Sequence, residues 1–273
     1  MDDSWNTCVV ENWKDFVSLV DGSHPGKPWK AEFVYRGQDD AGWALRPTIL
    51  RYTENVTAEA LIEIERELQE VFAAQANLHL PSYMLRQRGD RPFDWWMVMR
   101  HFGAPTRLLD WTRSPYVAAY FAVQGSWNDE GTDGAIWQVN CPCLEQEADR
   151  RSGGAYEYST FAKRCRDPDA EPIVRIRTMS PQFDRLVVQQ GLCSCCTQVK
   201  MDHDIAIQTT LPNDAESMAR RKVVIPLKQK PEFMRRLIVM NITANSLFPG
   251  ADGLGRFIDQ LAKVELQRQT ATP

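Results

Sequence analysis

The chain has 273 residues, 43% of them hydrophobic and 25% charged, the balance of a folded domain with a substantial core rather than of a disordered segment. Its 32 basic and 36 acidic residues leave a formal net charge of −4, which excludes a chain-wide cationic footprint for nucleic acid but not a local basic patch. No run approaches the roughly 18 apolar residues of a membrane span, and Met1 to Trp5 holds neither a positive segment nor an apolar stretch, so a cytoplasmic setting without a signal peptide is expected.

Residues 8 to 20 predict a short amphipathic helix on Val10, Trp13, Phe16, Val17 and Val20, and Gly22 to Pro28 a loop. Glu32 to Gln38 then alternates as a strand, with Phe33 and Tyr35 on one face and Val34 and Arg36 on the other. An Arg beside Val near a strand end, followed by Gly37, reads either as an ion-pair partner or as a grip for an anion, because its fork of donors matches phosphate and carboxylate. Thr57 caps a long helix to about Asn77, with Leu61, Ile64, Leu68, Val71 and Phe72 as its apolar stripe and Glu59, Glu63, Glu65, Glu67 and Glu70 largely on a solvated side. Residues 81 to 91 read as a polar loop.

A helix over Phe93 to Phe102 stops at Gly103, and a second helix starts at Ser114-Pro115, where Ser caps and Pro loses nothing. Between them lies a loop crowded with His101, Thr106, Arg107, Asp110, Thr112 and Arg113, and polar loops held by rigid elements are the usual layout of a site. A buried connector whose charges satisfy backbone groups is the equal alternative. Ala135 to Val139 predicts a buried strand, residues 141 to 170 an irregular insertion with a helical portion, and Ile173 to Arg177 another strand. Pro181 to Val188 is ambiguous between helix and strand. Lys222 to Leu227 is a strand whose Pro226 favours an edge. Two helices close the chain, on Phe233, Met234, Leu237 and Ile238 and on Leu254, Phe257, Ile258 and Leu261, and the tail after Gln267 should fray. The seven cysteines read as small buried hydrophobes rather than disulfides or a metal site, because Cys141-Pro142-Cys143 lacks the two-residue spacing of a zinc knuckle. The expected fold is α+β, one domain with a mixed, mainly antiparallel sheet flanked by helices.

The run His101-Phe102-Gly103-Ala104-Pro105-Thr106-Arg107-Leu108-Leu109-Asp110-Trp111-Thr112, followed by Ala118 to Ala122, closely resembles the signature of the FRG domain family. The family's Phe-Arg-Gly tripeptide corresponds to Tyr35-Arg36-Gly37. Gln189 to Leu192 and Ser246 to Leu254 are also similar to it. The resemblance implies an N-terminal helical segment over residues 1–29, an FRG-like domain over 30–265 and a frayed tail over 266–273.

Taken as chemistry, Arg36 offers an anion grip, and Thr112 and Ser114 hydroxyls at a helix N-terminus. His101 stands at a helix end whose dipole favours its protonated form. Asp110 is a candidate general base. A phosphorylated ligand suits this set, with Arg107 as a further contact. A weaker similarity links Val34 to Gly37 and Trp111 to Ser114 to ADP-ribosyltransferases of the Arg-Ser-Glu type, with Gln190 where their Glu stands. It implies an ADP-ribosyltransferase-like fold and NAD as substrate for ADP-ribosyl transfer or hydrolysis, as in a bacterial toxin or defence effector acting on a protein or nucleic acid. Asp110, Gln190 and His101 would then do the chemistry, with Arg36, Thr112, Ser114 and Arg107 holding the cofactor and no metal. A non-catalytic nucleotide-binding or protein-interaction domain, and a nuclease or phosphodiesterase on Asp110 and His101, are the alternatives.

Overall fold

A computed structural model describes residues 5–22, 32–52, 55–85, 92–128, 130–178, 184–211 and 219–270. In chain order they form β1 (Asn6–Val9), α1 (Trp13–Gly22), β2 (Phe33–Gln38), a tight helical turn (Thr48–Tyr52), α2 (Ala58–His79), α3 (Ser82–Leu85), α4 (Pro92–His101), β3 (Leu109–Thr112), α5 (Pro115–Val123), β4 (Gly134–Asn140), α6 (Cys141–Ser152), α7 (Tyr158–Arg164), β5 (Val174–Thr178), α8 (Asp184–Val188), β6 (Gly191–Cys196), α9 (His203–Thr210), β7 (Arg220–Ile225), α10 (Lys230–Val239), α11 (Ala244–Leu247) and α12 (Ala251–Thr270). The strands make one open, seven-stranded sheet in the order β1-β7-β4-β2-β3-β6-β5. Only β1 and β7 run parallel; the other neighbours are antiparallel. The α+β class and the mixed, mainly antiparallel sheet are as expected.

Period-two alternation sends side chains of each strand to opposite layers. On one face Phe33, Tyr35, Ile136, Val223 and Ile225 pack against α1, α5, α10 and α11. On the other, Val34, Leu109, Trp111, Trp137 and Val139 pack with Leu144 of α6 and Ala206 and Ile207 of α9. Cys193 and Cys195 of β6 join Trp96 and Met99 of α4 and Phe161 of α7 in a third cluster. On that second face α6 and α9 reach from β4 to β5 and β6 and so span the junction of β2 and β3, where strand pairing is sparse. There β2 and β3 share a single register pair, Tyr35 with Thr112.

α5 is apolar all round and almost wholly buried, as befits a core helix. Ser114 caps it by accepting from the Val117 N–H at 3.2 Å. It lies directly on the sheet because two strand residues have no side chain. A Cβ on Gly37 would come within 1.9 Å of the Ala118 carbonyl oxygen, and one on Gly134 within 2.1 Å of that of Ala122.

Several expectations change. Asn6 to Val9 is a strand ahead of a helix that begins only at Trp13. The loop between α4 and α5 contains β3, and Gly191 to Cys196 is a buried strand. β7 lies between β1 and β4 rather than at an edge; Pro226 follows its last residue, where no ladder N–H is required. Residues 82–85 are helical within the polar loop expected over 81–91, whose remainder from 86 lies outside the described residues, as do 23–31 and 179–183. In α2, Leu61 is buried but Leu68 and Val71 face solvent, and Glu65 takes an inner position. In α12, Leu254, Ile258 and Leu261 are exposed while Gln260 is buried against Tyr120. The helix runs on to Thr270, its last turns supported by a Glu265–Arg268 pair at 2.9 Å. Among the described residues no helix is long and apolar enough to cross a membrane.

Gly37→Ala should force α5 off the sheet and cost about 3 kcal/mol, the upper part of the range for overpacking. Chemical denaturation checks this, and an unchanged midpoint would show that the helix does not sit where the glycine permits.

Candidate functional site

The opening between β2 and β3 is bridged by one side chain. Arg36 Nη1 donates to the Asp110 carbonyl oxygen at 2.7 Å, supplying a bond that the ladder does not. Around this bridge lies a cleft of about 550 Å³, within the usual size of ligand sites. Arg36, Arg51, Arg100 and Arg185 line it with the carboxylates Asp39 and Asp110. Asp39 is already matched from below by the buried Lys230, 2.7 Å from its Oδ1. Tyr35, Trp43 and Phe121 supply aromatic wall, with Trp43 54% exposed. A smaller cavity of about 200 Å³ adjoins it through shared Arg100, Asp110, Trp111, Arg185 and Gln189, and adds His101.

Asp110 stands at the junction. Its Oδ2 accepts from Arg100 Nε at 3.0 Å and Nη2 at 2.7 Å, and its Oδ1 faces the Cys193 thiol at 3.7 Å. Although protein surrounds it, 47% of its side chain remains open to the cleft. Burial alone would raise its pKa. Arg100, then Arg36 and Arg185, overcome that and hold it below the ordinary carboxylate range. Burial and the Asp110 charge push the Cys193 thiol well up, so it stays protonated and donates. Burial brings the Arg36 guanidinium down to about 10, with Asp110 opposing and Arg100 and Arg51 assisting, and it remains a cation at neutral pH. Its buried Nε has no hydrogen-bond partner. Arg51 and Arg185 have no carboxylate partner among the described residues; Arg185 instead lies over the Phe248 ring at 4.6 Å.

β3 itself is held from the opposite face. Trp111 Nε1 donates to Ser194 Oγ at 2.8 Å, and that hydroxyl lies 2.8 Å from His203 Nδ1. Burial drives His203 down to about 3, so the ring is neutral at physiological pH.

The structure brings Arg36, Asp110 and Thr112 together in the larger cavity and His101 beside them in the smaller. His101 differs from the dipole expectation. Burial first, then the Arg185 cation, lower its pKa against the pull of Asp110. Thr112 Oγ1 donates to the Gln189 carbonyl at 2.6 Å and accepts from the Ser114 N–H at 3.0 Å. With Ser114 capping α5, both hydroxyls serve the fold, and Ser114 does not border either cavity. Gln190 is exposed at φ 49° in the turn before β6, its carbonyl accepting from the Arg113 N–H; the side chain at the cleft is that of Gln189, whose Nε2 donates to the Leu247 carbonyl.

Arg107 is turned inward. It is 1% exposed and forms a two-pronged pair with Glu65, its Nε 3.0 and 2.9 Å from the two carboxylate oxygens. Nη1 donates to the Thr197 carbonyl at 3.1 Å, and the guanidinium lies 4.8 Å from the Trp96 ring. It ties α2, α4 and the end of β6 together rather than reaching a ligand. Sequence reading missed Arg51, Arg100, Arg185 and Trp43. Arg100 stands one residue before the recognised run and carried a findable signal, a charge closing an apolar helix; the others had none. All seven cysteines are free thiols, and no cluster of three or more His, Cys, Asp or Glu suited to a metal occurs among the described residues.

Residues 31–130 match the family model of the FRG domain, which upholds the resemblance read from the central run. No curated protein and no solved structure matches the chain. The matched stretch contributes Arg36, Arg51, Arg100, His101 and Asp110 to the cleft; Arg185 and Gln189 come from beyond it.

Removing one partner of a buried pair strands the other charge. Glu65→Leu should cost about 3–5 kcal/mol, and Arg107→Met added to it should recover most of that. Urea melts of the two variants check it. Arg107→Met that weakens ligand binding without affecting stability would return Arg107 to the site.

Proposed function

We propose that the chain binds a pyrophosphate-bearing nucleotide in the larger cavity, that this nucleotide is NAD, and that the protein consumes it by ADP-ribosyl transfer or hydrolysis. The observation that carries the reading is uncompensated charge. Four guanidinium groups face two carboxylates, Asp39 is already matched by Lys230, and Arg51 and Arg185 have no anionic partner among the described residues. A chain of net charge −4 that concentrates cations in one cleft is arranged for an anion. Planar guanidinium groups favour phosphate, and the Trp43 and Phe121 rings suit a base or a nicotinamide. The cavity of about 550 Å³ accommodates a molecule of this class.

In this reading Asp110 faces the positive charge that grows on the ribose as the glycosidic bond to nicotinamide lengthens, and its carboxylate supplies the opposite charge. The electron pair of that bond leaves with nicotinamide. A hydroxyl of water or of an acceptor then forms the new bond to the ribose carbon and loses its proton to solvent, with His101 at the adjoining cavity to orient it. Seven free thiols suit a reducing, cytoplasmic setting. One observation favours a second reading, binding without turnover. Arg100 already takes Asp110 Oδ2 with two donors, which diminishes the charge left for a transition state.

Nicotinamide release from millimolar NAD distinguishes them. Turnover by the wild-type chain that falls about a hundredfold in Asp110→Asn, with NAD-induced thermal stabilisation kept, is the expected result. Stabilisation without any release selects the binding reading, and neither effect removes NAD.

A further inference from the structure

The smaller cavity carries positive charge of its own that no carboxylate of the described residues balances. Arg100 and Asp110 cancel across 2.7 Å. Arg185 has no such partner among the described residues: it lies over the Phe248 ring at 4.6 Å, with Arg256 over the same ring at 4.8 Å. Like charges gathered around one ring, in a half-buried place, repel each other more than they would in water. Burial lowers the Arg185 pKa most; Asp110 opposes, and the Arg100 and Arg256 cations add to burial. His101 borders the same cavity, kept neutral by burial and Arg185.

We propose that the smaller cavity is a phosphomonoester subsite, in which Arg185, Arg100 and His101 hold the dianionic phosphate of a second substrate beside the nucleotide. At about 200 Å³ it is too small for a nucleotide and ample for a phosphate with a short stem. The charges decide for a dianion over a carboxylate. Arg185 supplies one uncompensated positive charge, and His101 gains a second once an anion offsets Arg185, so two charges meet two. Asp110 does not repel the ligand strongly, because Arg100 already neutralises it. The position also fits a partner in the chemistry. Asp110 borders both cavities, so a molecule anchored here by its phosphate lies next to the reacting end of a ligand in the larger one. The word "second" rests on the nucleotide reading of the larger cavity; the phosphate site does not.

The probe is inorganic phosphate, titrated into the full chain while the imidazole signals are followed by NMR. Only four histidines contribute, and His101→Gln assigns the one that matters. Saturable movement of the His101 signal is expected, with its pKa rising by about one unit as phosphate binds. Arg185→Gln should weaken the response about tenfold, whereas Arg51→Gln, which borders only the larger cavity, should keep it; the buried His203 signal reports that each variant is folded. A His101 signal that ignores phosphate, or responds equally in Arg185→Gln, would overturn the subsite. Saturating NAD separates the sources. Phosphate binding that persists with NAD supports a second molecule, and binding that NAD abolishes assigns the subsite to the nucleotide's own phosphates and overturns it. A phosphate response in a chain that ignores NAD upholds the subsite and counts against the nucleotide reading alone.

Discussion

The Arg36–Asp110 bond holds the centre of the molecule together. β2 and β3 meet at one residue pair, Tyr35 and Thr112, and beyond it the guanidinium of Arg36 replaces the missing ladder bond to the Asp110 carbonyl. An open ladder would ordinarily leave buried backbone groups unmet. Here the opening is stable because a side chain closes it from one strand, the Trp111–Ser194–His203 chain steadies the other, and α5 is pressed onto the sheet at Gly37 and Gly134. The cleft is therefore a consequence of the fold's own geometry, floored by a rigid helix and walled by two strands.

Arginine has two fates in this chain, and the contrast separates structure from function. Arg107 is sealed in the core, and Glu65, two backbone carbonyls and an aromatic ring satisfy it. At the cleft the matching is incomplete: Arg100 has its carboxylate, Arg36 has a carbonyl and an unmet Nε, and Arg51 and Arg185 have no anionic partner among the described residues. A fold that compensates charge so thoroughly in its core and leaves it unmatched at a cleft is arranged there for more than stability, which is the usual mark of a place kept for a ligand.

Much of this was legible before any coordinates. The Ser114-Pro115 start of α5, the alternation through Tyr35 and Arg36, and the crowding of polar residues between two apolar helices follow from local rules and hold. β3 was not legible, because Leu109 to Thr112 is four residues long with a charge at its second position, and β6 was not, because its Cys-rich run has little of the β-branched character that marks a strand. The direction of Arg107 was beyond reach for another reason. Its partner lies 42 residues away, on a helix position that periodicity assigned to solvent. Arg51 and Arg185 arrive at the cleft from a short turn and a five-residue helix, and only tertiary packing shows that they converge.

Calorimetric titration of NAD into wild type and Arg51→Gln, at low and at physiological salt, tests the central claim most directly. Arg51 is exposed and has no ion-pair partner among the described residues, so its loss touches the charge of the cleft and not the packing. One site per chain is predicted, with affinity that falls as salt rises and about tenfold weaker binding in the variant. No heat of binding, or an affinity that neither salt nor Arg51→Gln alters, would contradict a cleft held positive for an anionic nucleotide.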